Sequence, residues 1–209
     1  MDVRIMAAVL AAGLFLTTAH GQVGNNDSVL NPNLADEDEL AGVTHLDAAL
    51  ASRIVNGRPF TGTAALDALL AGTLSVEQRE EVYGELFIPL NLNSASEEEI
   101  HLIPGMSNRM VHEFEEYRPY RSLEQFRREI GKYVDEAEVA RFELYVFVPL
   151  DLNSARGEDF ATVPGVSNRM VHEFLEYRPY ADMEQFRREI GKYVDEDEVA
   201  RFERYMTIR

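Results

Sequence analysis

A 60-residue unit is written three times in this chain. Asn93 and Asn153, Pro104 and Pro164, and Gly131 and Gly191 each stand one period apart. Residues 90–149 and 150–209 are identical at 41 of 60 positions, so these two copies must fold alike. The first copy, residues 30–89, has drifted but keeps register: Arg58-Pro59-Phe60 lies under Arg118-Pro119-Tyr120 and Arg178-Pro179-Tyr180. A period of this size means tandem small domains or a repeat array. A single 60-residue unit is marginal by itself. The chain has no cysteine, which excludes disulfide stapling, zinc–thiolate frameworks and a thiol nucleophile. Each unit must therefore be held by its own small apolar core or by its neighbours.

Within each copy the apolar residues recur at helical spacing, and start and stop signals divide them into four short helices in two pairs. In copy two, Ser96 and Glu99 form a capping box ahead of Ile100 and Ile103. Pro104-Gly105 stops that helix. Ser107 caps the next, which carries Met110, Val111 and Phe114 and ends at Arg118-Pro119. Ser122 with Gln125 opens a third helix bearing Leu123, Phe126 and Ile130. After Gly131-Lys132-Tyr133, Asp135 with Glu138 caps a fourth, with Val139, Phe142 and Tyr145 facing inward. Copy three repeats the pattern, and copy one uses Asp36 with Glu39 and Ser75 with Gln78 as its boxes. No stretch alternates as a sheet strand does. The expected fold is all-α: tandem small helical bundles at 30–89, 90–149 and 150–209. The joints Phe87-Ile88-Pro89-Leu90 and Phe147-Val148-Pro149-Leu150 are short and apolar, so neighbouring units are expected to touch.

The N-terminus reads as a secretory signal over residues 1–21. Arg4 precedes an apolar run from Ile5 to Leu16, and Ala19-His20-Gly21 offers a small-residue cleavage site. An uncleaved anchor is the alternative. Residues 22–29 form a polar leader. No later stretch is apolar enough to span a bilayer, so the mature chain is expected to be exported, periplasmic or extracellular, and not membrane-spanning. The net charge is −17, with 37 acidic and 20 basic residues. Copy one carries 10 acidic and 3 basic residues, copy two 12 and 7, and copy three 13 and 9. A field of that sign favours solubility and opposes approach to nucleic acid or an anionic membrane.

The chemistry-bearing element is Ile103-Pro104-Gly105-Met106-Ser107, repeated as Val163-Pro164-Gly165-Val166-Ser167. A short helix, an apolar-Pro-Gly-apolar-small turn and a second helix make a helix-hairpin-helix. With its Leu-Asn-Ser-Ala lead-in (92–95), acidic first turn and Arg-Pro-aromatic break, the unit resembles the repeats of the ComEA-like family. The resemblance spans residues 30–209. It implies a bundle of two helix-hairpin-helix motifs per unit and exported proteins that bind double-stranded DNA without sequence preference, as in DNA uptake. In such a motif the hairpin N–H groups and the second helix's N-terminus receive a phosphate. Mapped here, the resemblance implies phosphate contacts at Gly105, Met106, Ser107 and Arg109, and at Gly165, Val166, Ser167 and Arg169. The second turns would add Gly131 with Lys132 and Gly191 with Lys192.

The departures are specific. Ser107 and Ser167 stand where the family usually has a second glycine, and the second turns lack a Gly-x-Gly. In copy one the turn reads Val43-Thr44-His45-Leu46-Asp47, without Pro or Gly and with a carboxylate at the phosphate position. Copy one is therefore expected to keep its helices but not the phosphate site.

Structural roles compete for the same residues. Ser107 and Ser167 are N-caps. Arg109 and Arg169 can pair with Glu113 and Glu173 at i,i+4. Arg127, Arg128 and Lys132 lie among Glu124, Glu129, Asp135 and Glu136. His112 and His172 precede a Glu, but the position four residues on is Glu116 or Glu176, not a second His, which excludes a zinc-protease helix. Tyr117, Tyr120, Tyr177 and Tyr180 suit packing better than base stacking. No catalytic residue, metal site, cofactor or small-molecule substrate is called for. The expected partner is double-stranded DNA, the alternative a protein of a cell-envelope uptake or secretion apparatus.

Overall fold

The computed structural model describes residues 28–209. The apolar N-terminal segment and residues 22–27 of the leader lie outside the described residues. Among the described residues, twelve helices follow one another, four to a copy. Copy one holds α1 (Glu37–Ala41), α2 (Ala48–Asn56), α3 (Thr63–Leu70) and α4 (Val76–Tyr83). Copy two holds α5 (Glu97–His101), α6 (Asn108–Glu116), α7 (Leu123–Ile130) and α8 (Glu136–Glu143). Copy three holds α9 (Gly157–Phe160), α10 (Asn168–Glu176), α11 (Met183–Ile190) and α12 (Glu196–Glu203).

Such short helices need their ends satisfied, because too few internal hydrogen bonds remain to offset the orphan donors. The caps read from sequence supply this. Ser96 accepts from the Glu99 N–H while Glu99 reaches back to the Ser96 N–H, and the boxes at Asp36 and Ser75 are likewise complete. The third helix of each full copy departs from the box pattern. Ser122 accepts from the Gln125 N–H, but the Gln125 side chain accepts from Arg121, one residue earlier.

The lead-in and the Arg-Pro-aromatic break, 27 residues apart, are clamped together. The Asn93 amide donates to the Tyr120 carbonyl (2.9 Å) and accepts from the Tyr120 N–H (2.6 Å). Arg118 donates to the Leu92 and Ala95 carbonyls at 2.6 and 2.7 Å. The same clamp joins Asn33 to Phe60 and Asn153 to Tyr180. The peptide bonds Arg58-Pro59, Arg118-Pro119 and Arg178-Pro179 are all cis. The motif that carries the family resemblance is thus also the fastener of each unit.

The joints contain short strands that periodicity does not reveal. Strand β1 (Leu90–Asn91) pairs in parallel with β2 (Val146–Phe147), and β3 (Leu150–Asp151) with β4 (Met206–Thr207). An isolated bridge links Leu30 to Leu86. Each copy is therefore closed by its own first and last residues. Two-residue strands are too short to show alternation, which is why the sequence reads as wholly helical.

The copies also touch, as the apolar joints lead one to expect. Copies one and two share one continuous core, while copy three has its own, which includes Phe147 from the preceding joint. Phe87 of copy one meets Tyr145 of copy two edge-on at 5.0 Å. Copy three returns to copy one: Arg204 donates to the Pro89 carbonyl at 3.2 Å. Burial lowers the pKa of that guanidinium. No helix among the described residues is long and apolar enough to cross a membrane.

Candidate functional site

The two Pro-Gly turns form as expected. Gly105 and Gly165 have φ of +69° and +70° and are the glycines at positive φ among the described residues. An L-residue is strained there, so the turn demands glycine. The following N–H, of Met106 or Val166, closes the turn onto the carbonyl of Ile103 or Val163. The Met106 and Val166 side chains pack against the core. Ser107 and Ser167 then cap the nine-residue helices α6 and α10, accepting from the N–H of Met110 and Met170. Gly105, Ser107, Arg109 and their counterparts in copy three are exposed.

Copy one corrects the expectation that it keeps only its helices. His45 takes φ +65° where the other copies have Gly, and Asp47 caps α2 through the Leu50 N–H. His45 Nε2 also lies 2.8 Å from Glu81. The backbone path of the turn survives without its glycine, and the Asp47 carboxylate is spent on the helix end.

The second turns have a different geometry. Gly131 and Gly191 lie at φ −61° and −62°, in the right-handed region, as C-caps of α7 and α11. They are required for closeness: a Cβ would stand 2.7 or 2.8 Å from the carbonyl oxygen of Arg127 or Arg187. Without a left-handed residue these turns do not form the right-handed–left-handed nest that gathers N–H groups around an anion.

The predicted cations fall into one cluster per copy. The Arg109 guanidinium sits 5.3 Å from the Tyr133 ring centre, and the Lys132 ammonium 4.9 Å from that of Tyr117. Copy three matches, with Arg169 on Tyr193 at 5.2 Å and Lys192 on Tyr177 at 5.0 Å. The tyrosine hydroxyls are 2.7 Å apart in both copies. Either hydroxyl of a pair can be the donor, and the buried Glu113 carboxylate lies beside that of Tyr133. The tyrosine pair raises its pKa, with Glu113 next in effect. One carboxylate oxygen each of Glu113 and Glu173 is buried without a hydrogen-bond partner. Copy one has none of this. Ala49, Arg53, Gly57, Gly72 and Thr73 occupy the corresponding positions.

Carboxylates neutralise much of this charge. Lys132 and Arg128 both bind Glu129, and Arg127 binds Glu143; Glu189 and Glu203 take these roles in copy three. Hydrogen bonding to Lys132, and then Arg128, lowers the pKa of Glu129, and Lys132 is raised in turn. Arg169 lies 4.0 Å from Glu173 and is 71% exposed, the most exposed of the arginines and lysines in these ion pairs. His112 and His172 make exposed pairs with Glu116 and Glu176, at 3.6 and 3.4 Å. No group of three or more metal-ligating side chains occurs among the described residues.

Spacing did not point to Arg141 and Arg201. Arg141 donates to the Pro104 carbonyl at 2.7 Å from 37 residues away, and Glu138 grips it through two hydrogen bonds. Arg201 holds Pro164 in the same way. These arginines buttress the turns from behind. Copy one has Glu81 at this position, which explains why its partner in the turn is a histidine.

No family model, no curated protein and no solved structure matches this chain.

Proposed function

We propose that the chain is an exported, non-enzymatic helix-hairpin-helix protein whose second and third copies bind the backbone of double-stranded DNA without reading its bases. One observation carries the reading: each of these copies presents an exposed turn with glycine at positive φ, followed by a serine-capped nine-residue helix beside an Arg–Lys–Tyr cluster. A helix N-terminus and the turn's amides favour an anion. The ComEA-like resemblance of the repeats supports the same ligand and a DNA-uptake role. The anchoring groups would be Gly105, Met106, Ser107 and Arg109 with their copy-three equivalents, and Lys132 and Lys192 would contribute from the neighbouring turn.

The magnitude expected is modest. Four cations on two faces allow at most about four phosphate contacts, which gives a slope of log affinity on log salt no steeper than about −4. Purified residues 22–209 should retard duplex DNA at low salt, equally for unrelated sequences, and release it near physiological salt. Arg109→Ala together with Arg169→Ala should flatten the slope by about two. Absence of any retardation at low salt rejects the reading.

A second reading, a docking module for a basic envelope protein, is favoured by the net charge of −17 and by the paired state of the cations. Capture of a basic partner that survives nuclease treatment would establish it.

A further inference from the structure

We infer that copy one packs against the edges of the other two hairpins, whose turns stay exposed, and that Glu80 holds the anion position of the first hairpin as an internal competitor. The Gly105 N–H donates to the Glu80 carboxylate at 3.3 Å, across the junction between α4 and the copy-two turn. A cleft of about 260 Å³ lies here, lined by Val76, Glu80 and Tyr83 on one side and by Ile103, Gly105 and Met106 on the other. At the second hairpin, Leu34 δ-carbons lie 2.8 and 3.3 Å from where a Gly165 Cβ would stand.

The repeat itself indicates that these contacts are particular to copy one. Glu80 is replaced by Ala140 and Ala200, Leu34 by Ser94 and Ser154, and Val76 by Glu136 and Glu196. Leu34 and Val76 are the exposed large hydrophobic residues among the described residues, 43% and 65% exposed, and each lies at the margin of a hairpin. The counterparts of both residues in the other copies are polar or charged, so the apolar choice is confined to the copy that lies against the hairpins. The copy that lost its own Pro-Gly turn has thus gained the residues that face the turns of its neighbours.

The two hairpins are consequently unequal. A phosphate arriving at Gly105 must displace a carboxylate that already uses the N–H and repels an anion; at Gly165 the nearest side-chain atoms are the end of Leu34 and the Arg201 guanidinium, neither of which repels an anion. The inference rests on the phosphate reading of the hairpins. Inorganic phosphate titrated into the purified chain, followed by the amide NMR signals of Gly105 and Gly165, tests the two separately. Glu80→Gln and Glu80→Ala should tighten phosphate binding at Gly105 about three- to five-fold, the scale of one exposed charged contact, and leave Gly165 unchanged. An unchanged Gly105 affinity, or an equal gain at Gly165, overturns the inference and leaves the phosphate reading intact. Silence of both amides in the natural chain and both variants overturns both. Selective gain at Gly105 without duplex DNA binding confirms the internal competitor and rejects DNA as the ligand.

Discussion

Glycine serves two different ends in these repeats, and substitution separates them. At Gly105 and Gly165 the backbone is left-handed, so Ala adds a conformational cost of about 1 kcal/mol. At Gly131 and Gly191 the backbone suits any residue, but a Cβ would press on a carbonyl oxygen at 2.7–2.8 Å. Backbone cannot swing aside, so Gly131→Ala should cost about 1–3 kcal/mol. In urea denaturation Gly131→Ala is expected to lower the midpoint more than Gly105→Ala. The reverse order would contradict the assignment of the two turns. His45 accepts the left-handed strain that Gly avoids, and its pairing with Glu81 supplies a contact the glycine copies lack.

At the scale of the element, the helices are too short to stand alone, and what joins them is the clamp. Asn93 satisfies both backbone groups of Tyr120, and Arg118 ties the lead-in from the other side. Asn93→Ala removes both amide bonds at once and leaves a sheltered N–H and carbonyl without partners. It should destabilise the chain by about 2–4 kcal/mol, measurable by thermal or urea unfolding. Asn93→Asp retains the acceptor but loses the donor and should fall between. If the alanine variant unfolded with the natural midpoint, the clamp would be a bystander. Because the Asn and Arg side chains are spent on this clamp, their recurrence alone does not indicate a ligand.

At the scale of the whole molecule, the copies are not independent beads. Copies one and two share a core, whereas copy three encloses its own. Phe126 is fully buried between Phe114 and Tyr120 in copy two. Phe126→Ala should therefore cost about 3–5 kcal/mol, shared by both copies of that core. Hydrogen exchange should show loss of protection in α2 and α4 as well as in α6 and α7, with α10 and α11 much less affected. Loss confined to copy two would mean that the shared core does not transmit stability.

The amino-acid sequence determined the period, the helix order, the caps, the Pro-Gly turns and the excess of negative charge. The helix order, caps and turns are local: each depends on residues a few positions apart, which is where capping bonds, turn sterics and helical periodicity act. Even the divergence of copy one was legible at Val43–Asp47, although the turn's survival through His45 was not. Tertiary structure decided which groups meet. Arg141 reaches Pro104 from 37 residues away, Arg127 finds Glu143 rather than its nearer carboxylates, and Glu80 and Leu34 of copy one come to rest on turns of the other copies. Side-chain partners at such separations are chosen by how the copies pack, and the three-fold repetition in the text conceals an asymmetric arrangement in space.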